Sequence, residues 1–426
     1  MPAAEVAPAY FACEIRMTRP DLVSPSIESV CWIRTSDALK SLAARLRESR
    51  ELAVDSESDS LHHFPEKVCL IQLALEGGEA FLVDPLAVED MSSLAPIMAD
   101  PSMVKIFHGA AYDLAAMKRD FGFGFAGLFD TMIAAQFLGM PELGLSALLA
   151  TLLGIAPERS LQKDDWASRP LSPAQERYAA EDVRHLTRLR AHLLEALRIR
   201  GRQEWVAEEC RALEATPAAE RVFHPDDCFR IKGVGTLDPR GLAVLRELYV
   251  ARERWARERR RPPFRVMGNE TLLRLAAVLP RRGEDLLKIP GCSPLIVSRY
   301  GQGVLDAVSR GLAVPEGDLP VIRRPKKPRL GRAIECRIEA LLSWRAEAAP
   351  RLGLDAGLLL PRRLIERLAQ AAPSDLAALA AIDGIRQWRS AHLGQEMLAV
   401  LAAADGVTGL PPGRIRGGKE EGGRAG

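Results

Sequence analysis

The chain contains no uninterrupted apolar run near the roughly 18 residues that a membrane helix needs, so no membrane span is expected. Met1-Pro2-Ala3-Ala4-Glu5 lacks the basic stretch and apolar core of a secretory signal. Cysteine is sparse: seven residues, Cys13, Cys31, Cys69, Cys210, Cys228, Cys292 and Cys336, are scattered singly, with no CxxC pair and no Cys/His cluster of zinc spacing. A disulfide scaffold and a structural zinc site are thereby excluded, and reduced thiols in a cytoplasm are expected.

What is present is the balance of a globular protein, 47% apolar and 27% charged residues over 426 positions. At roughly 100–200 residues per domain, that length divides into about two to four. The formal net charge of +2 conceals an opposition between halves. Residues 1–215 hold 22 Lys and Arg against 32 Asp and Glu, a net of −10, whereas residues 216–426 hold 36 against 24, a net of +12. An acidic half completed by metal ions, joined to a basic half that holds a polyanion, accounts for that asymmetry.

The acidic half is organised around Leu52-Ala53-Val54-Asp55-Ser56-Glu57, a short apolar run ending in two carboxylates spaced i, i+2. On a strand both point to one face, where they repel unless solvated or sharing a cation. Hard divalent ions take oxygen ligands of this kind, although a lone Asp-x-Glu also describes a strand running out into a polar loop. Residues 1–26 show no period and read as a poorly ordered lead-in. Val30–Ile33 reads as a strand, and Thr35-Ser36-Asp37 as the cap of a helix carrying Leu39, Leu42, Ala43 and Leu46 on one face. Val68–Leu75 and Ala80–Asp84 flank a Glu76-Gly77-Gly78-Glu79 turn and complete an antiparallel meander with the Asp55 strand. A helix over Asp90–Met98 and a strand over Val104–Phe107 begin the alternation of an α/β fold.

That last strand ends in His108-Gly109, and a helix opens with Asp113 in its first turns, near the sheet edge where open α/β folds place their sites. The helix dipole alone also favours an acid there. Ser172, Pro173 and Gln175 form a capping-box start for a helix expected over Pro173–Leu197, on which Tyr178 and Asp182, four apart, share a face.

Taken together, four carboxylates and one phenol stand at element ends of one domain. Ala53-Val54-Asp55-Ser56-Glu57, Phe107-His108-Gly109-Ala110-Ala111-Tyr112-Asp113 and Tyr178-Ala179-Ala180-Glu181-Asp182 resemble the three motifs of the DEDD superfamily of 3′–5′ exonucleases, in its tyrosine-containing branch, and most closely the ribonuclease D family. The resemblance implies an α/β ribonuclease H-like domain, a mixed sheet flanked by helices. It implies a catalytic set of Asp55, Glu57, Asp113, Tyr178 and Asp182 and two divalent cations, Mg²⁺ or Mn²⁺, one on Asp55, Glu57 and Asp182 and a second on Asp55 and Asp113. Tyr178 would orient the attacking water, and 5′-mononucleotides would leave from the 3′ end of RNA, such as a tRNA precursor. The same carboxylates serve DNA exonucleases, so RNA rests on the resemblance and on the HRDC arrangement of the second half; an inactive nucleic-acid-binding scaffold would lack one of the acids, and none is missing. His63 and Lys67, in the loop after the first motif beside His62, and His108 are candidate nucleic-acid contacts, though solvation or packing also accounts for them. Lys163, Trp166 and Arg169 could guide a single strand, or the tryptophan could pack.

Beyond residue 200 the pattern is helical and repeats. Leu272-Leu273-Arg274-Leu275-Ala276 recurs as Ile365-Glu366-Arg367-Leu368-Ala369, and Ile289-Pro290-Gly291 as Ile382-Asp383-Gly384, each offset by 93 residues without gaps. Both copies resemble the HRDC domain, the second more divergently, with Asp383 for Pro290 and Leu393 for Tyr300. The expected organisation is an exonuclease domain over 28–215, two all-α HRDC domains over 216–313 and 331–404, a basic proline-rich linker over 314–330 and a disordered tail over 405–426. Arg252, Arg257 and Arg260, within a run of arginines ending at Pro262-Pro263, form a cationic patch expected to contact phosphates. No obligate protein partner is expected.

Overall fold

The structure, a computed structural model, describes residues 30–156, 160–218, 222–322 and 330–408. The expected lead-in over 1–26 and most of the expected tail lie outside them.

Apolar alternation and turn chemistry produce six strands in one mixed sheet: β1 (Cys31–Ile33), β2 (Glu51–Ser58), β3 (Val68–Ala74), β4 (Ala80–Val83), β5 (Val104–Phe107) and β6 (Leu128–Asp130), in the order β1-β4-β3-β2-β5-β6. The β2-β3-β4 meander is antiparallel, and β5 lies parallel to both β2 and β6. Asp55 faces Gln72 and Glu57 faces Leu70 across the β2–β3 ladder, which shifts register between Glu57 and Ser58. β2 and β3 run past β5, so the two acids stand where the ladder with β5, ending at Ala53–Ile106, has stopped.

Helices cover both faces. Thr35 caps α1 (Ser36–Leu46) through Ala38 N–H. The expected helix over 90–98 is instead a 3₁₀ turn, Ser92–Leu94, followed by α2 (Ala95–Met98). Pro96 stands in the first turn of α2, and a residue without an amide donor can begin a helix but not continue one. Then follow α3 (Ala111–Phe121), α4 (Thr131–Phe137), α5 (Leu145–Leu148), α6 (Pro173–Arg184), α7 (Leu186–Ile199) and α8 (Gln203–Glu214). The expected single helix over 173–197 is therefore two. The capping box at Ser172 and Gln175 is present, but the chain breaks at His185 (φ −104°, ψ −3°), whose imidazole turns back to Glu181 at 2.9 Å.

The basic half consists of α9 (Pro239–Glu258), α10 (Pro263–Val266), α11 (Asn269–Val278), α12 (Gly283–Leu286) and α13 (Pro294–Ala313), then α14 (Arg332–Leu352), α15 (Ala356–Leu359), α16 (Arg362–Ala371), α17 (Leu376–Ala380) and α18 (Gln387–Thr408). The 93-residue offset holds in three dimensions. Left-handed backbone at Arg260, Leu279 and Gly291 recurs at Gly353, Ala372 and Gly384. Arg252 donating to the Met267 carbonyl recurs as Arg345 to Leu360, and Arg274 to Pro290 as Arg367 to Asp383. No helix among the described residues is long and apolar enough to cross a membrane.

The two copies pack differently. The second shares one continuous apolar core with the sheet domain, whereas the first builds its own, with Phe64 of the sheet domain against it. Glu208 accepts the Gln387 and Trp388 amides at the start of α18 (2.5 and 2.9 Å), satisfying orphan donors and complementing the helix dipole. Glu209 accepts from Trp388 Nε1, Arg386 and Arg389, and the Trp388 ring stacks on Trp205 with centroids 4.5 Å apart. Gly139, at φ +69°, leaves out a side chain whose Cβ would lie 2.0 Å from the Gly353 carbonyl oxygen. The tail expectation needs correction at its start: residues 405–408 continue α18, because Asp405 is buried in an ion pair with Arg337 (2.6 Å).

The 93-residue equivalence supplies a matched pair of substitutions. Trp388→Ala removes a buried ring at the interface and is expected to cost about 3–5 kcal/mol. Leu295→Ala, at the equivalent but exposed position of the first copy, should change stability by less than about 0.5 kcal/mol. Denaturant unfolding of both variants checks this, and equal midpoints would remove the shared core from the account of stability.

Candidate active site

Strand alternation places Asp55 and Glu57 on the face of β2 covered by α6, and the capping box fixes where α6 begins. Tyr178 and Asp182 thus descend onto that face one turn apart. Oxygen atoms of Asp55, Glu57 and Asp182 all lie within 4.8 Å of one another. At such separations each ionised pair repels by at least about 3 kcal/mol at an effective dielectric near 20.

Asp113, buried in the first turn of α3, accepts a 2.5 Å hydrogen bond from Ser56, the residue between the two β2 acids. Burial and then the charges of Asp113, Asp182 and Glu57 hold the Asp55 carboxyl well above the usual range. Burial, Asp182, Asp113 and Asp164 push Glu57 up to about 9, and burial pushes Asp113 up to about 6 against its bond from Ser56. The charges that raise Asp55 and Glu57 are those of neighbouring carboxylates. The donors are all oxygen and raise one another's carboxyls, which is the chemistry of a site for a hard divalent ion.

Tyr178 is buried under Trp166, with ring centroids 6.1 Å apart. Burial, Asp182 and Glu57 raise its phenol further above neutrality, and Ser160 and Asp182 are its hydrogen-bonding neighbours. Trp166 is fully buried, so of its two readings the structure favours packing, while Lys163 stays exposed. Arg169 anchors the segment, binding both oxygens of Asp84 (2.7 and 2.8 Å) and the Cys69, Trp166 and Ser168 carbonyls. This loop clasps the one after the first motif: His62 meets the Lys163 carbonyl at 2.8 Å and His63 the Asp165 carboxylate at 3.2 Å, while the Lys67 side chain is exposed.

His108 is half-buried on Thr131 (2.9 Å), with its imidazole held below its ordinary value by burial. Behind it stands Asp130, a buried carboxylate absent from the sequence reading. It accepts from Gly109 and Ala110 amides at 3.0 and 2.8 Å and caps α4 through Met132, fixing the turn that delivers Asp113. An aspartate before a helical Thr-Met-Ile was the available signal. Arg252 needs correction as a nucleic-acid contact: it is buried, bonded to the Met267 carbonyl and Asn269 and set over Tyr249. Arg257 and Arg260 are exposed, Arg257 paired with Glu253 and 5.4 Å above the Phe64 ring.

The chain is similar to known proteins. A family described as 3′–5′ exonuclease matches residues 30–198, and the HRDC domain matches residues 241–308 and 335–401. A ribonuclease D of Gluconacetobacter diazotrophicus is 34% identical over 86% of this chain and 92% of its own length. One of Pseudomonas paraeruginosa is 31% identical over 90% and 100%. Among solved structures, Escherichia coli RNase D, an exoribonuclease involved in structured RNA processing, is similar with a TM-score of 0.65 and 28% identity over 88% of this chain and 99% of its own. The catalytic core of RRP6 from Trypanosoma brucei follows at 0.60 and 28%, over 67% and 80%.

The raised carboxyls make stability depend on pH. Without a cation, the folded chain holds these protons more tightly than the unfolded chain does, so their contribution is present at low pH. It is lost as pH rises from the usual carboxyl range through about 6 for Asp113 and about 9 for Glu57. In chelator, the thermal midpoint should therefore fall between about pH 5 and 9, and added Mn²⁺ should raise it more at the upper end than at the lower. Scanning fluorimetry checks both; an equal cation effect at the two ends contradicts the cluster's role.

Proposed function

Because the chain belongs to the ribonuclease D family and is a 3′–5′ exoribonuclease, we propose that Asp55, Glu57, Asp113 and Asp182 hold its metal and that it trims 3′ ends of structured RNA, such as tRNA precursors, releasing 5′-mononucleotides. The observation that supports the site most is the trio Asp55, Glu57 and Asp182, whose oxygens all lie within 4.8 Å of one another. In this reading Asp55, Glu57 and Asp182 hold one divalent ion, and Asp55 with Asp113 a second. Divalent ions, when bound, offset charge on the transferring phosphoryl group and lower the pKa of water.

The chain's own groups do the rest. Ser56 fixes the Asp113 carboxylate, and Asp130 fixes the turn that carries it. The Tyr178 hydroxyl keeps its proton at neutral pH, so it orients a water by hydrogen bonding and is not the base that deprotonates it. Clasped loops behind Trp166 keep bulk water from the buried side of the phenol.

RNA is the substrate, and the first HRDC domain is its proposed accessory surface. The loop after the first motif reaches that domain through Phe64, beneath Arg257, so exposed Arg257, Arg260 and Arg261 continue from the site loop. The second domain contacts the exonuclease domain with the edge that the first leaves exposed at Leu295.

Asp55→Asn and Glu57→Gln should abolish hydrolysis while leaving RNA binding intact, and normal turnover in either rules out the assignment. Tyr178→Phe should slow single-turnover cleavage by roughly 10²–10⁴-fold with metal affinity unchanged; full rate would make the phenol a packing group. A 3′-phosphate should protect a single-stranded RNA and a 5′ block should not. Replacing Arg257, Arg260 and Arg261 by Ala should flatten the slope of log K against log salt by up to about 2 units, at about 0.7 per phosphate contact. An unchanged slope places the RNA elsewhere.

A further inference from the structure

Gln72 is fully buried in the middle of β3, and neither its amide nitrogen nor its amide oxygen has a hydrogen-bond partner among the described residues. Buried polar side chains are nearly always paired, so a doubly orphaned amide calls for a physical account. Its surroundings narrow the possibilities. Along its strand face stand Leu70 and Ala74, across the ladder on one side is Leu82, and above it Leu70 and Leu82 pack with Tyr178 and Ala179 of α6. The polar residue in register with it is Asp55, directly opposite on β2. Directly opposed residues of an antiparallel pair point to the same face with Cβ atoms about 4.5–5.5 Å apart, a gap that a glutamine amide and an aspartate carboxylate span together.

We infer that Gln72 is a positioning residue for the cation site: its amide nitrogen donates to the Asp55 carboxylate when that carboxylate binds a divalent ion. The inference rests on Asp55 being a metal ligand. An ionised carboxylate has room for about four hydrogen bonds or metal contacts. With cations drawn to its outer lone pairs, a donor from the sheet side locks the rotamer in which those lone pairs face α3 and α6. Groups that hold ligands in this way change metal affinity by about 10–100-fold when removed. A glutamine serves where lysine or arginine cannot, because it supplies a donor without a positive charge that would compete with the cation. Where that bond is not made the amide is left unsatisfied, so the position carries a stability cost that cation binding would relieve.

That trade-off gives a test with two independent readouts on the full-length protein. Gln72→Met keeps length and burial but removes the donor. Mn²⁺ affinity, read by calorimetric titration, should weaken by about 10–100-fold, while the thermal midpoint in chelator stays equal or rises. Cleavage of a short single strand should recover as Mn²⁺ is raised, with KM for the strand unchanged. Wild-type Mn²⁺ affinity, or a lower midpoint in chelator, overturns the inference; where Gln72→Met fails to fold, Gln72→Leu is read in the same way. Asp55→Asn separates this from the reading it rests on. Mn²⁺ retained by Asp55→Asn removes Asp55 as a ligand, whereas Mn²⁺ lost there but kept by Gln72→Met removes Gln72 alone.

Discussion

Mutual repulsion of carboxylates is the constraint around which the exonuclease domain is built. Three acids with oxygens inside 4.8 Å resist ionising together without a counter-charge, and burial with their neighbours' charges holds the Asp55 and Glu57 carboxyls up. A flexible chain would let the acids swing apart and would lose the cation site with them. Each is instead fixed by a different device. Strand alternation holds Asp55 and Glu57, a capped helix holds Asp182, and a turn strapped by Asp130 holds Asp113. With the proposed cation site, relief of that repulsion is what a hard cation would contribute.

The helical half shows one backbone put to two uses. The 93-residue equivalence keeps helix bounds, left-handed positions and even the arginine-to-carbonyl bonds from one copy to the other. What differs is the surface. In the second copy Arg386, Trp388 and Arg389 meet Glu208, Glu209 and Trp205, so an edge becomes core. In the first copy the equivalent edge carries exposed Leu295, and the domain meets the exonuclease domain at Phe64, on the loop that leaves the carboxylates. Duplication therefore left one unit as a buttress and the other beside the site.

Much of this was legible beforehand because it depends on local rules. The i, i+2 acids, the Ser172–Gln175 capping box, the i, i+4 pair of Tyr178 and Asp182 and the ungapped repeat all follow from neighbours in sequence. Where local signals were weak, the reading failed or was silent. Leu128–Asp130 is too short a strand to show a period, which hid Asp130. His185 breaks a helix with no proline or glycine at the break to announce it, and Arg252 looks like a surface group until the Met267 carbonyl, 15 residues away, accepts from it.

The sequence by itself determined the chemistry: which acids, on which kinds of element, at spacings that put them on common faces, and two copies of a helical unit with opposite charge to the first half. Those properties are set by backbone periodicity and by composition, which need no tertiary contact. Tertiary structure alone decided how near the acids come, which arginines remain in water, and that the second helical copy shares a core with the sheet domain. It also set Gln72 against Asp55. Such facts depend on strand register and on the burial of one element by another, and neither is encoded in the spacing of residues along a single element.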